Sequence, residues 1–168
     1  MNWKLTAKLL AIFIFISLFG NASLFAHCEI PCGIYHDQLR IELIWEHITT
    51  IEKSMNQVNS LSAEGSKNYN QLIRWVSNKE NHATELQHIV TQYFMTQRVK
   101  PADHADEAAH AAYLKKLGIL HGLLVHAMKA KQTTDLAHIR HLRDLTDQFV
   151  EVYFDEDAKK HLREHHKG

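Results

Sequence analysis

Only two prolines and six glycines occur in 168 residues. An all-β fold asks for a turn signal about every 8–12 residues, so this scarcity excludes it and leaves helices as the default. No charge of one sign dominates: 19 Lys and Arg stand against 19 Asp and Glu, which removes the basic footprint of a nucleic-acid binder. Cysteine is scarce too. The two present are spaced Cys-x-x-x-Cys and followed by Gly33, which excludes the Cys-x-x-Cys-His of covalent haem attachment. What is abundant is apolar and aromatic: 45% of residues are hydrophobic, with three Trp, five Tyr and seven Phe, enough for one packed domain and too much for a disordered tail.

Lys4 and Lys8 precede an apolar run, Leu9–Phe19, followed by small and polar residues through Ala26. This is the order of a secretory signal peptide. Extending the run to bilayer length would take in Gly20, Asn21 and Ser23, so residues 1–26 are expected to be a cleaved signal and not a stable membrane anchor. The protein is then exported, to the periplasm or the medium. Small-residue rules allow a cut after Ala22 or after Ala26, and favour Ala22. A chain beginning at His27 carries 17 basic against 19 acidic residues and keeps all 14 histidines and both cysteines.

Residues 27–168 read as one domain, a hook over 27–35 followed by helices over about 37–160. Ile41, Ile44, Ile48, Ile51, Met55 and Val58 recur at spacings of three and four, which predicts an amphipathic helix over 37–59. Loop chemistry fills 61–68. A second helix carries Leu72, Ile73, Val76, Ala83, Leu86, Val90, Tyr93 and Phe94 and is ended by Pro101. Asp103, with Asp106 three residues on, predicts a capping box that opens a third, Ala-rich helix through Ala112, Leu117, Leu120, Leu124 and Met128. Within it, Gly118 and Gly122 either weaken the helix or let a neighbour approach. Thr133 or Thr134 is expected to cap a fourth helix bearing Leu136, Ile139, Leu142, Leu145, Phe149 and Val152. The prediction is an all-α fold, an antiparallel up-down four-helix bundle preceded by an N-terminal metal-binding hook.

Most histidines read as scaffold or surface. His138 and His141, or His121 and His126, could be paired as helical metal ligands, but such ligands need partners on a facing helix, which spacing alone does not supply. His161, His165 and His166, among Lys159, Lys160, Arg163 and Lys167, read as a solvated tail.

Both cysteines fall in the segment His27-Cys28-Glu29-Ile30-Pro31-Cys32-Gly33-Ile34-Tyr35. A small disulfide is one reading for an exported chain, yet a bridge closing so few residues removes little chain entropy and fastens the hook to nothing. Zinc is another, and would need a fourth ligand from elsewhere. Cleavage before His27 changes what the segment can do. The freed α-amine and the backbone nitrogen of Cys28 close a five-membered chelate ring, and that nitrogen with the Cys28 thiolate closes a second, which gives three corners of a square. Pro31 can turn the chain to bring the Cys32 thiolate to the fourth, Gly33 frees the exit, and the His27 imidazole stands above as an axial donor. Square-planar coordination points to Cu(II) or Ni(II), and the charge given by two thiolates and a deprotonated amide favours nickel in one-electron chemistry.

His27-Cys28-x-x-Pro31-Cys32-Gly33-x-Tyr35 resembles the hook of nickel-containing superoxide dismutases. Glu46 to Met55, Asn70 to Val76, Asn78-Lys79-Glu80-x-His82-Ala83 and Gln97 to Pro101 are similar to segments of bacterial members. The resemblance implies one nickel ion per chain, held by the amine and imidazole of His27, the amide and thiolate of Cys28 and the thiolate of Cys32. It implies that Tyr35 guards the approach of superoxide, that Glu42 orients the axial imidazole, and that Lys100 attracts a small anion. The family's second-helix arginine is matched in place by His82, with Arg74 two turns away as a substitute, and Glu29 replaces a shorter Asp. The implied activity is disproportionation of superoxide to O₂ and H₂O₂ by cycling between Ni(II) and Ni(III), in a homohexamer. Two rivals from other classes are an exported helical-bundle binding protein with a disulfide hook and a histidine-rich metal buffer.

Overall fold

The row Ile41, Ile44, Ile48, Ile51 and Met55 becomes the inner face of α1 (Asp37–Ala63), and every one of these side chains is fully buried. The helix runs past Asn59 because Ser62 turns its hydroxyl back onto the Val58 carbonyl at 2.6 Å instead of breaking the turn. Val58, expected on the inner face, is only half-buried. The computed structural model describes Trp3 and residues 35–166, and residues 35–166 belong to one compact unit. Among the described residues there are five α-helices and no strand, so the all-α expectation holds. No helix among them is long and apolar enough to cross a membrane.

A single 3₁₀ turn, Gly65–Asn68, leads into α2 (Tyr69–His88). Here the expected face is buried only from Ala83 onward. Ile73 is 64% exposed and Val76 is exposed as well, while Lys79, Ala83, Leu86 and Val90 line the buried row. The helix is turned that way because the Lys79 ammonium reaches the C-terminal carbonyls of the next helix, donating to Ala130 O at 2.8 Å, Lys131 O at 2.5 Å and Thr133 O at 3.2 Å. A cation is favoured at that end of a helix dipole. Burial pushes the Lys79 pKa down, against the pull of Glu80.

The α2 backbone then widens into a π-helical stretch, Ile89–Arg98. A backbone bond across five residues closes it, Val99 N–H to Phe94 O at 2.8 Å, and the side chains of Thr96 and Gln97 also reach five residues back, to Thr91 O at 2.8 Å and Gln92 O at 2.9 Å. Such stretches are rare and short elsewhere.

Asp106, not Asp103, caps α3 (Glu107–Gln132), accepting the Ala109 N–H at 2.9 Å. Asp103 closes the preceding turn onto Ala105. The inner face of α3 is Ile119, Leu120, Leu123, Ala127 and Ala130, whereas Ala112 and Met128 are exposed. A Cβ at Gly122 would lie 3.0 Å from a Leu145 methyl, so this glycine does admit a neighbour, and at Gly118 there is open space. Neither Thr133 nor Thr134 caps α4 (Ala137–Tyr153): Thr133 ends α3, and Asp135 accepts the Ala137 N–H at 2.8 Å. The C-terminal tail is also more than a solvated end. It forms α5 (Glu156–His166), which packs on α1 with Leu162 fully buried.

Side-chain pairs fix the directions. Ser54 meets Asn78 and His47 meets His82 between α1 and α2, while Gln87 meets Leu124 and Lys79 meets Ala130 between α2 and α3. Between α1 and α4, Glu52 pairs with Arg143 and Asp37 with Tyr153. Each pair of neighbours is therefore antiparallel.

Candidate metal centre

His27, Cys28, Cys32 and Glu29 lie outside the described residues. What the structure does describe is the place where the hook ends and the helical body begins. The chain leaves Tyr35 and His36 and enters α1 at Asp37, a carboxylate in the first turn where the helix dipole favours it. Asp37 accepts from Tyr93 Oη at 2.5 Å, Tyr153 Oη at 2.8 Å, Arg98 Nε at 2.8 Å and Arg98 Nη2 at 2.7 Å. The π-helical winding brings Tyr93 and Arg98 to it, and the end of α4 brings Tyr153. Tyr93 Oη in turn accepts the His36 backbone N–H at 2.9 Å. The backbone is thus held one residue after Tyr35.

Burial alone would raise the Asp37 pKa, but the hydrogen bonds from Arg98, Tyr93 and Tyr153 overcome it and hold the carboxyl below its usual 3.8. Burial and then Asp37 itself push the Tyr93 hydroxyl up to about 12, and Tyr153 rises for the same reasons. All four groups keep one protonation state through the neutral range, so this is a fixed mount and not a titrating relay. An aromatic cluster backs it, with Phe94 edge-on to Tyr93, Phe149 and Tyr153 at centroid distances of 5.1, 4.9 and 5.6 Å.

Tyr35 is 40% exposed. The Arg98 guanidinium lies 4.2 Å from its ring centroid, and Tyr93 approaches it edge-on at 6.0 Å. A cation over an exposed ring contributes about 0.5–1 kcal/mol, and here that cation is itself clamped by Asp37. Lys100, two residues beyond Arg98, is exposed. Glu42 is half-buried on α1 and has no hydrogen-bond or ion-pair partner among the described residues. His82 does not face Glu42: its Nδ1 is 2.9 Å from Nδ1 of His47. Arg74 lies beside Thr50, Lys53, Gln71, Trp75 and Asn78, around a cavity of about 410 Å³. Thr50 is about 12 Å along the α1 axis from Glu42, which puts Arg74 far from the hook's exit.

Asp37, Arg98 and Tyr153 were not singled out by spacing, and Tyr93 was read only as part of the second helix's apolar row. Of the other three, only Arg98 carried a signal, as part of Gln97 to Pro101. Among the described residues no three His, Cys, Asp or Glu side chains are gathered to hold a metal ion. The donor set expected of the hook, two thiolates with amine, amide and imidazole nitrogens, would suit nickel.

The family described as nickel-containing superoxide dismutase matches residues 22–157, most of the chain and all of the hook. The chain belongs to that family. It is an oxidoreductase whose cofactor is nickel and whose class of reaction is superoxide dismutation. No curated protein and no solved structure matches it.

Proposed function

We propose that the chain is exported, loses residues 1–26, and works from the periplasm or the medium as a hexamer of hook-bearing up-down four-helix bundles. The observation that carries this reading is the family match running unbroken from residue 22 through the hook and four helices. His27, Cys28 and Cys32 would hold one nickel ion per chain, and nickel bound there supplies a one-electron Ni(II)/Ni(III) couple. Two superoxide anions and two protons give one O₂ and one H₂O₂.

The work left to the protein is to hold the hook, admit a small anion and keep other reactants out. Asp37, Arg98 and Tyr93 support this by fixing the backbone at His36 and the ring of Tyr35, so that Tyr35 can guard the approach. Lys100 supplies an exposed positive charge near the same end. Glu42 orients the His27 imidazole.

Intact mass, nickel content and superoxide turnover of the secreted protein test the reading together. The expected result is a chain starting at His27 with one nickel and full activity. An active form beginning at Ser23 would overturn both the cleavage site and the ligand set, because the His27 amine would then be an ordinary peptide nitrogen. His27→Gln keeps the α-amine, the Cys28 amide and both thiolates, so nickel is retained while turnover collapses. Tyr35→Phe keeps nickel and activity but changes the salt dependence or inhibition of turnover. A metal-free chain with oxidised cysteines would favour a disulfide-hooked binding protein instead.

A further inference from the structure

The antiparallel packing of α3 on α4 supplies a partner that spacing alone could not name. His138 and His141 stand three residues apart and share one face of α4. His126, on α3, meets both. Its Nδ1 is 3.2 Å from Nδ1 of His138, and its ring centroid is 4.4 Å from that of His141. The sequence suggested His121 as the companion of His126, but the fold chooses the other helix.

We propose that His126, His138 and His141 form a second metal site, separate from the hook, for a borderline divalent cation such as Zn²⁺. Imidazole binds Zn²⁺ at 2.0–2.1 Å, which sets two nitrogens on one tetrahedral ion about 3.3 Å apart. The His126 and His138 Nδ1 atoms already have that separation, as a hydrogen-bonded pair whose shared proton a cation would replace. The three donors are not yet gathered on one point. His141 is exposed, and a change of its side-chain rotamer brings the third nitrogen in while water completes the shell. His126 and His138 are half-buried, which limits how far their rings can drift apart. Lys129, one turn beyond His126, opposes a cation and keeps the site weaker than one with a carboxylate ligand. Neutral imidazoles release no charge to the ion, so the site takes metals that prefer nitrogen over hard oxygen donors.

The test uses the nickel-loaded protein, so that the hook is already filled, with Zn²⁺ as the probe in equilibrium dialysis. One Zn²⁺ per chain beyond the nickel is expected. His126→Ala and His138→Ala should each weaken it by more than the roughly tenfold that loss of an outer partner costs, and His141→Ala by less. His121→Ala, on the same helix and exposed, should leave it unchanged. Affinity should also fall with falling pH, because protons compete with the cation for the imidazole nitrogens. Absence of extra Zn²⁺, or binding that survives all three substitutions, would overturn the site. Should His126→Ala fail to fold, His138→Ala and the polar His126→Asn decide it. Because the readout is bound Zn²⁺ and not turnover, a failure of the dismutase reading would leave this result interpretable.

Discussion

At its first turn α1 is tied by side chains 56, 61 and 116 positions away in sequence, those of Tyr93, Arg98 and Tyr153. At its last turn the hydrogen bonds are all local: Ser62 to Val58, Glu64 N–H to Leu61 and Asn68 to Glu64. The first end is backed by interlocked aromatic rings, and the last is solvent-exposed. Long-range bonds cost more chain entropy to form than local ones, so they persist only where burial and charge repay the ordering. In this protein they are concentrated where the hook leaves the helical body. If the hook holds the metal as proposed, its placement depends on what fixes the chain at His36 and Asp37.

The largest expected effect breaks the hook itself. Cys28→Ser or Cys32→Ser should abolish nickel retention and turnover while far-UV circular dichroism stays close to wild type, since both cysteines precede the first helix in the sequence. A variant that instead unfolds, beside an equally stable metal-free wild type, would point to a structural bridge.

Next comes the root. Asp37→Ala leaves the Arg98 guanidinium and two tyrosine hydroxyls without their acceptor, in a place where the Asp37 side chain is 16% exposed. Breaking such a pair costs about 3–5 kcal/mol when fully buried, so a loss of about 2–4 kcal/mol in denaturant unfolding is expected here. If the root positions the hook, nickel affinity falls as well. A loss below 1 kcal/mol would show that the carboxylate is not the organising group.

A smaller effect is expected with pH. Burial and then His82 hold His47 below its usual 6.5, against Glu46 and Glu85. The folded chain then binds fewer protons than the unfolded one below that value. The stability present above pH 6.5 is therefore lost as pH falls through the folded pKa, and melting temperature should drop across the mildly acidic range. His47→Asn should flatten that slope. Asp37 adds a second loss of the same sign below pH 3.8. The smallest effect is at the other end of α1, where Glu64→Ala should change stability by no more than about 0.5 kcal/mol. A larger change there would erase the contrast between the two ends.

Much of the body was legible because its signals are local. The α1 row repeats without interruption, and the motif that carries the family resemblance stands in nine adjacent residues. The α2 and α3 faces were not. Ile73 and Val76 sit at helical spacing yet stay exposed, because Lys79 turns the helix to reach carbonyls 51 to 54 residues away. On α3, apolar side chains surround the helix, and only packing against α4 selects Leu120 and Leu123 over Met128. The C-terminal helix hid behind its charges, since Leu162 is the one fully buried side chain in it. Asp37 shows no pattern at all until the fold collects its partners. Glu42 was named only through the resemblance, and the imidazole it is proposed to orient lies outside the described residues.

The π-helical stretch also makes the chain sensitive to its own length. An α-helix turns about 100° per residue, so any rewinding of Ile89–Arg98 into tighter coils would rotate everything after it around the axis. Removing a single residue there, for instance Thr96, invites that rewinding. Phe94 would keep its place while Arg98 swung away from Asp37 and Lys100 turned to another side. Point substitutions along this stretch should therefore be tolerated far better than a one-residue deletion, which would misalign the molecule's charged end while leaving its composition almost untouched.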